Sequence, residues 1–283
     1  MATIAEAPIT VEPIKPAIGA VVRVDKQTLL DPAFAPKVIE LLNQRLALVF
    51  PQMNLTDEEQ LRFTDNLGDR INFTRTAPGG DLSAQDVYTI TLDPAVNSEP
   101  EYVYGSMFWH GDGITTPNPP PKYTILSCRV PPEKDGETEF CNTVAAWERL
   151  PEAEKAALKD LRVVHTVRAA VRPFMDPEEL NPVRRDLTHE HPLVWTLPDG
   201  RKALLLGCHA DWVVGMPKGP GRALLARLLE WAGQPELTIR HTWSKGDLAI
   251  WDNTATLHRA LPYADNSARR MHRTTVAGTD AIS

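Results

Sequence analysis

The stretch FWHGDG, residues 108–113, sets His110 and Asp112 two positions apart, between an aromatic pair and a glycine. On a strand, residues i and i+2 face the same side, so an imidazole and a carboxylate spaced this way can reach one ion together. Two donors do not hold a metal. His258, far downstream in WDNTATLHRA, is the histidine that completes the set if its strand lies beside the first. Two neutral imidazoles and one carboxylate on one face of an ion leave three positions open, the arrangement that suits non-heme iron(II) enzymes activating dioxygen. The same three groups can instead hold zinc or manganese and activate water, in a hydrolase or isomerase on a cupin-like barrel. A ligand-binding jelly roll without catalysis is the third reading.

Any of these needs a body of strands to bring residues 110 and 258 together. APKVIELLNQRL spaces Val38, Leu41, Leu42 and Leu46 along one helical face, and LALVFPQM reads as a buried strand ended by Pro51. Thr56-Asp57-Glu58-Glu59 has the capping-box pattern, with Leu61 and Leu67 carrying the following helix into a core. From about 70 to 150 the pattern turns to short β-prone pieces such as DVYTITL and KYTILSCRV, separated by proline- and glycine-rich turns. Pro117, Pro119, Pro120 and Pro121 mark an exposed loop just after the His-Gly-Asp. PEAEKAALKDL and RALLARLLEWA read as helices, and ELTIRHTW, DLAIWDN and RRMHRTTVAG as strands. The expected fold is therefore mainly β with flanking helices, built on a jelly-roll-like sandwich or barrel. One domain over residues 1–283 is expected, with residues 166–200, rich in Pro, Arg and His, as an insertion or lid.

Composition narrows the partners. At 283 residues and 42% hydrophobic content the chain can bury a sizeable core, and its net charge of −7, without a block of like charge, argues against nucleic acid as the main ligand. No run of about 18 apolar residues marks a membrane span. The opening MATIAEAPITVEPIKP lacks the basic start and apolar middle of a signal peptide, so a cytoplasmic location is expected. Cys128, Cys141 and Cys208 are widely spaced and odd in number, which suits free thiols.

Nearly end to end, the chain resembles the taurine dioxygenase and 2,4-dichlorophenoxyacetate dioxygenase family of Fe(II)/2-oxoglutarate enzymes. The matching stretches include IKPAIGAVVRVD, LALVFPQMNLTDEEQLRFTDNLGD, WHGDG, KYTILSCRVPPEKDGETEFCNTVAAWERLP, GCHADWVVGM, GDLAIWDNTATLHRALPY and RRMHRTTVAG. The resemblance implies a double-stranded β-helix core, Fe(2+) as the metal, and 2-oxoglutarate and O2 as co-substrates. It carries the metal role to His110, Asp112 and His258, and the 2-oxoglutarate anchors to Thr138 in GETEF and to Arg269. Arg273 matches a second arginine that serves the co-substrate or a substrate carboxylate. A guanidinium fork gives a distal carboxylate two parallel charge-assisted bonds, and a threonine hydroxyl completes the grip. The implied reaction is hydroxylation of a C–H bond of a small molecule, releasing succinate and CO2. Arg273, four residues after Arg269 on the same strand, predicts an anionic substrate carrying a carboxylate.

The chain also departs from its best-known counterparts. Taurine-type members carry a sulfonate-binding histidine in the segment matching RINFTRTAP, where this chain holds Asn72, Phe73, Thr74 and Arg75, which argues against taurine. Asp112 stands where halogenating members carry alanine or glycine, which argues for hydroxylation or a related oxidation. Asn72, Tyr104, Phe108 and His209 are candidates to face the substrate, with core packing as the other reading of Tyr104 and Phe108 and a buried, hydrogen-bonded imidazole as the other reading of His209, and Trp109 and Trp251 are expected to pack beneath the ligands. The family resemblance further implies a homodimer or homotetramer. Consumption of 2-oxoglutarate separates the oxygenase from the hydrolase, isomerase and non-catalytic readings.

Overall fold

The computed structural model describes residues 9–71, 87–97 and 99–283. Its frame is a seven-stranded sheet in the order β1 (Thr10–Pro13), β2 (Ala20–Arg23), β3 (Ala47–Phe50), β13 (Leu248–Asp252), β5 (Tyr123–Val130), β15 (Arg270–Val276) and β4 (Tyr88–Ile90). A second sheet of β12 (Thr238–His241), β6 (Thr138–Asn142) and β14 (Thr256–Ala260) packs on its inner face through Phe140 and Ile239. The strands of both sheets pair antiparallel except β2 with β3. Two such sheets face to face form the expected double-stranded β-helix.

The side-chain alternation of the strands explains the two sides of the large sheet. Leu48 and Phe50 of β3 and Leu248 and Ile250 of β13 point outward, into a core shared with Val38, Leu41 and Leu42 of the helix Ala35–Arg45. Ala47 and Val49, with Ala249 and Trp251, point inward to the core between the sheets. Because both faces are covered, these strands read as apolar runs rather than as a clean polar alternation. Leu46 closes the helix Ala35–Arg45 at φ 63° and sends its side chain to the inner core.

The capping box is formed as the sequence predicts. Thr56 Oγ1 accepts from the Glu59 N–H at 3.2 Å, and Glu59 Oε2 accepts from the Thr56 N–H at 2.8 Å, at the start of the helix Asp57–Leu67. That helix braces β15: Gln60 Nε2 donates to the His272 carbonyl at 3.0 Å, and the Thr64 and Thr274 hydroxyls lie 2.7 Å apart. Since Arg273 lies between those two contacts, the cap stabilises a strand that borders the candidate site. Thr56→Ala is expected to lower the unfolding free energy by about 1 kcal/mol, read as a shifted denaturant midpoint with unchanged slope.

A third sheet of β11 (Ala210–Val213), β7 (Arg162–Thr166) and β8 (Thr188–Pro192), a hairpin of β9 (Val194–Thr196) and β10 (Lys202–Leu204), and the helix Lys218–Ala232 enclose a further core around Val163, Leu193, Leu206, Leu225 and Leu228. Residues 166–200 thus divide. The earlier part holds the short helices Val167–Val171 and Pro182–Arg185, whereas the later part supplies β8 and β9. One local expectation changes as well. The strand read at His110 shrinks to a single bridge residue opposite His258, because Gly113 turns the chain at φ 76°.

Candidate metal centre

His110 and His258 face each other across that bridge. The His110 N–H donates to the His258 carbonyl at 3.1 Å and the His258 N–H donates back at 3.0 Å, so the two side chains emerge on one side with ring centroids 4.1 Å apart. β14 carries His258 opposite Phe140 of β6. The turn after His110 brings Asp112 round, and its Oδ1 lies 4.0 Å from each histidine Nε2. The three donor atoms all lie within 4.8 Å of one another, a group that can hold a metal ion. The turn achieves what the expected strand would have, because the glycine on either side of Asp112 lets the carboxylate swing onto the histidine face.

The protonation states suit a cation. His110 Nδ1 is 2.8 Å from the Phe108 carbonyl, which can only accept, so Nδ1 carries the proton and Nε2 presents its lone pair. Burial depresses the pKa of both histidines, keeping them neutral. Burial pushes the Asp112 carboxyl up, but His258, Arg273, His110 and the Thr124 hydroxyl outweigh it and hold it at about 2. Two neutral imidazoles and a carboxylate are the donor set for a divalent first-row ion.

A hydrogen-bonded chain backs Asp112. Thr124 Oγ1 donates to Asp112 Oδ2 at 2.9 Å and accepts from Asn253 Nδ2 at 2.9 Å, while Asn253 Oδ1 accepts from Trp251 Nε1 at 2.9 Å. The Trp251 ring also packs against His258 at 4.6 Å and Phe140 at 5.1 Å. Trp251 thus packs against a residue of the triad, whereas Trp109 is buried in a different core and takes the Arg259 guanidinium over its ring at 4.5 Å. Thr124→Val deletes the hydroxyl at constant shape, freeing Asp112 Oδ2 and leaving Asn253 without its acceptor. Its metal affinity is expected to fall about 10-fold or more, measured by Mn(II) titration of the apoprotein.

Arg269 is 2% exposed and makes no ion pair with a carboxylate among the described residues. Its Nε donates to the Gly136 carbonyl at 3.3 Å and its guanidinium lies 4.9 Å from the Tyr263 ring centroid. Burial lowers its pKa. Gly136 is two residues from Thr138, so the two expected anchors meet at the head of β6. Thr138 Oγ1 accepts from Trp243 Nε1 at 2.9 Å, which leaves its hydroxyl hydrogen to donate. Arg273 sits nearer the triad, with one nitrogen 3.8 Å from Asp112 Oδ1 and its guanidinium 5.2 Å from the Tyr88 ring centroid, its cross-strand neighbour on β4.

The other candidates divide. Phe108 is half-buried and stacks on Phe174 with centroids 5.9 Å apart and planes at 17°, and Tyr104 meets the same Phe174 at 6.0 Å. The Tyr104 hydroxyl donates to Asp265 at 3.2 Å near the surface. His209 is buried, with both ring nitrogens engaged by Gly111 and His165. Asn72 lies outside the described residues. Sequence reasoning missed Tyr88, Thr124, Phe174 and His165. Thr124 and Tyr88 lie in stretches read as strands, but nothing local marks which strand neighbours which.

Residues 10–275 match the family described as Taurine catabolism dioxygenase TauD, TfdA family. An alpha-ketoglutarate-dependent 2,4-dichlorophenoxyacetate dioxygenase from Burkholderia sp. (strain RASC) is 33% identical over 276 residues, covering 92% of this chain and 91% of that protein. An alpha-ketoglutarate-dependent sulfate ester dioxygenase from Pseudomonas putida is 32% identical, covering 95% of this chain and 90% of that protein. Among solved structures, AAD-2 in complex with Mn(II) and N-oxalylglycine aligns with a TM-score of 0.79 at 29% identity, over 98% of this chain and 100% of that one. A taurine dioxygenase from Burkholderia xenovorans gives 0.78 at 29% identity, over 98% and 93%. Matched over nearly its whole length, and with His110, Asp112 and His258 gathered in the jelly-roll core, this chain belongs to the TauD, TfdA family and is a 2-oxoglutarate-dependent non-heme iron dioxygenase.

Proposed function

We propose that His110, Asp112 and His258 hold Fe(II), that Thr138 and Arg269 receive the distal carboxylate of 2-oxoglutarate, and that Arg273 receives a carboxylate on a small organic substrate whose C–H bond is hydroxylated. The observation that carries this reading is the pairing of a three-donor cluster with a buried Arg269 that has no carboxylate partner among the described residues. A buried guanidinium in that state calls for an anion from outside. A hydrolase using the same triad has no need of a second anion beside its substrate, whereas 2-oxoglutarate brings one.

Bound iron supplies the redox chemistry by which O2 and 2-oxoglutarate become CO2 and succinate while the substrate C–H becomes C–OH. The chain's own residues orient and enclose. His110, its Nδ1 committed to the Phe108 carbonyl, keeps its Nε2 lone pair free for the ion, and Thr124 fixes the rotamer of Asp112. Arg269 sets one end of 2-oxoglutarate at a fixed depth, and the Thr138 hydroxyl donates alongside it. Arg273, next to Asp112, places an anionic substrate group close to the triad.

The aromatic wall of Phe108, Tyr104 and Phe174 supports an apolar or aryl body for that substrate. The relatives named for 2,4-dichlorophenoxyacetate and sulfate ester oxidation agree with an anionic group on it. Residues 166–200 serve here as a lid within a single domain, since Phe174 reaches Phe108 and Arg184 pairs with Glu101 at 2.9 Å. No helix among the described residues is long and apolar enough to cross a membrane. Cytoplasmic residence and assembly as a homodimer or homotetramer go with this reading.

The test is a panel of small carboxylic acids and their methyl esters, scored by succinate release. Arg273→Leu is expected to raise the KM for the acid by about 30-fold or more, on the scale of truncating one partner of a desolvated charge pair, with a much smaller effect on 2-oxoglutarate. The ester should be a poor substrate of the unmodified enzyme. Equal turnover of acid and ester would defeat the assignment of Arg273 to the substrate.

A further inference from the structure

His209 touches the turn that carries His110 and Asp112. Its Nε2 is 3.2 Å from the backbone nitrogen of Gly111, the residue between His110 and Asp112. A backbone N–H can only donate, so His209 Nε2 is the bare, accepting nitrogen and the ring proton sits on Nδ1. That Nδ1 is 2.7 Å from His165 Nδ1, so His209 donates there and His165 accepts. The proton of His165 then falls on Nε2, which is buried and has no hydrogen-bond partner among the described residues. An unmade buried bond is costly. Here it follows from committing the other nitrogen of His165 to His209.

The surroundings are built around this contact. The Cys208 N–H donates to the Trp109 carbonyl at 2.7 Å and the Thr166 N–H donates to the His209 carbonyl at 2.8 Å, so the loop is a strut between the ligand turn and β7. Gly207 holds φ 139°, and a Cβ there would lie 2.8 Å from His209 Nε2. Only a bare backbone lets the imidazole come this close. Burial and the neighbouring His110 and His191 hold the His209 pKa down to about 3, so the accepting tautomer is not lost to protonation.

We infer that His209 is a positioning residue for the metal centre, set in its accepting tautomer by His165, and that the pair fixes the Gly111 peptide so that His110 and Asp112 face one ion. This rests on the triad being the metal site.

The experiment titrates Co(II) into the full-length apoprotein, following the visible absorption of the bound ion, with melting temperature and near-ultraviolet circular dichroism as fold controls. His209→Leu is expected to weaken Co(II) binding about 10- to 100-fold, the usual effect of losing such a support. His209→Gln, whose amide oxygen can accept from the same N–H, recovers most of the affinity. His165→Leu touches neither ligand, yet it should weaken Co(II) binding by stranding the His209 proton, and His165→Asn should restore it. A folded His209→Leu with unchanged affinity, or a Gln variant as weak as the Leu variant, overturns the proposal. Should His209→Leu fail to fold, the His165 pair decides, and equal affinity of its Leu and Asn variants overturns it. If His258→Ala binds Co(II) as tightly as the unmodified protein, the metal-site reading falls instead, and this inference with it.

Discussion

Alanine at His110 or at His258 is expected to abolish iron binding and to bring 2-oxoglutarate turnover down to the level seen without enzyme. The bridge between the two residues runs through backbone atoms alone, so it survives the substitution and leaves the strands in register. What disappears is one corner of a triangle whose donor atoms lie within 4.8 Å of one another. An imidazole and a carboxylate alone do not fix an ion's position, and an ion that moves cannot be approached by two co-substrates in a set order. The fold should hold: His258 packs on Trp251, and that ring stays anchored through Asn253. The check is metal content after reconstitution, together with succinate release and a melting curve. Full turnover in either variant would move the metal elsewhere.

Arg269→Leu should separate binding from stability. Removing the guanidinium takes away the partner proposed for the distal carboxylate, and the 2-oxoglutarate KM should rise by an amount corresponding to about 2–5 kcal/mol. The apoprotein, by contrast, should gain stability. A 2%-exposed guanidinium without a carboxylate partner among the described residues is a desolvated charge, and replacing it with an apolar side chain relieves that cost. A gain of about 1 kcal/mol would raise the melting temperature by roughly 2–4 °C for a chain of this size. Added 2-oxoglutarate should raise the melting temperature of the unmodified protein and leave the variant unmoved. An unchanged KM, or an apoprotein that melts well below the unmodified one, would contradict the role given to Arg269.

What could be read from the sequence was local. The capping box at Thr56 and Glu59 and the helical face of Val38, Leu41 and Leu42 depend on neighbours within a turn or two, so their spacing is sufficient. The His-x-Asp pair was legible for the same reason, although a turn rather than a strand delivers it. Long-range register was not legible. Nothing near Leu248 says that β13 lies between β3 and β5, and nothing near Tyr88 says that it opposes Arg273. Such pairings depend on contacts between residues more than a hundred positions apart, which no window of sequence contains. His209 shows the same limit. Its residue type allowed either a place in the pocket or a buried hydrogen bond, and the choice depends on Gly111 and His165, each brought to it by tertiary packing.

The most direct measurement of the central claim is the balance of O2 consumed against succinate released, with and without Fe(II), on a carboxylic acid that the enzyme oxidises. If His110, Asp112 and His258 form the iron site of a 2-oxoglutarate-dependent dioxygenase, the two should match one to one, one hydroxylated product should form for each succinate, and all three should vanish when iron is removed or Asp112 is replaced by alanine. Substrate conversion that proceeds without iron, or without any succinate, would contradict it.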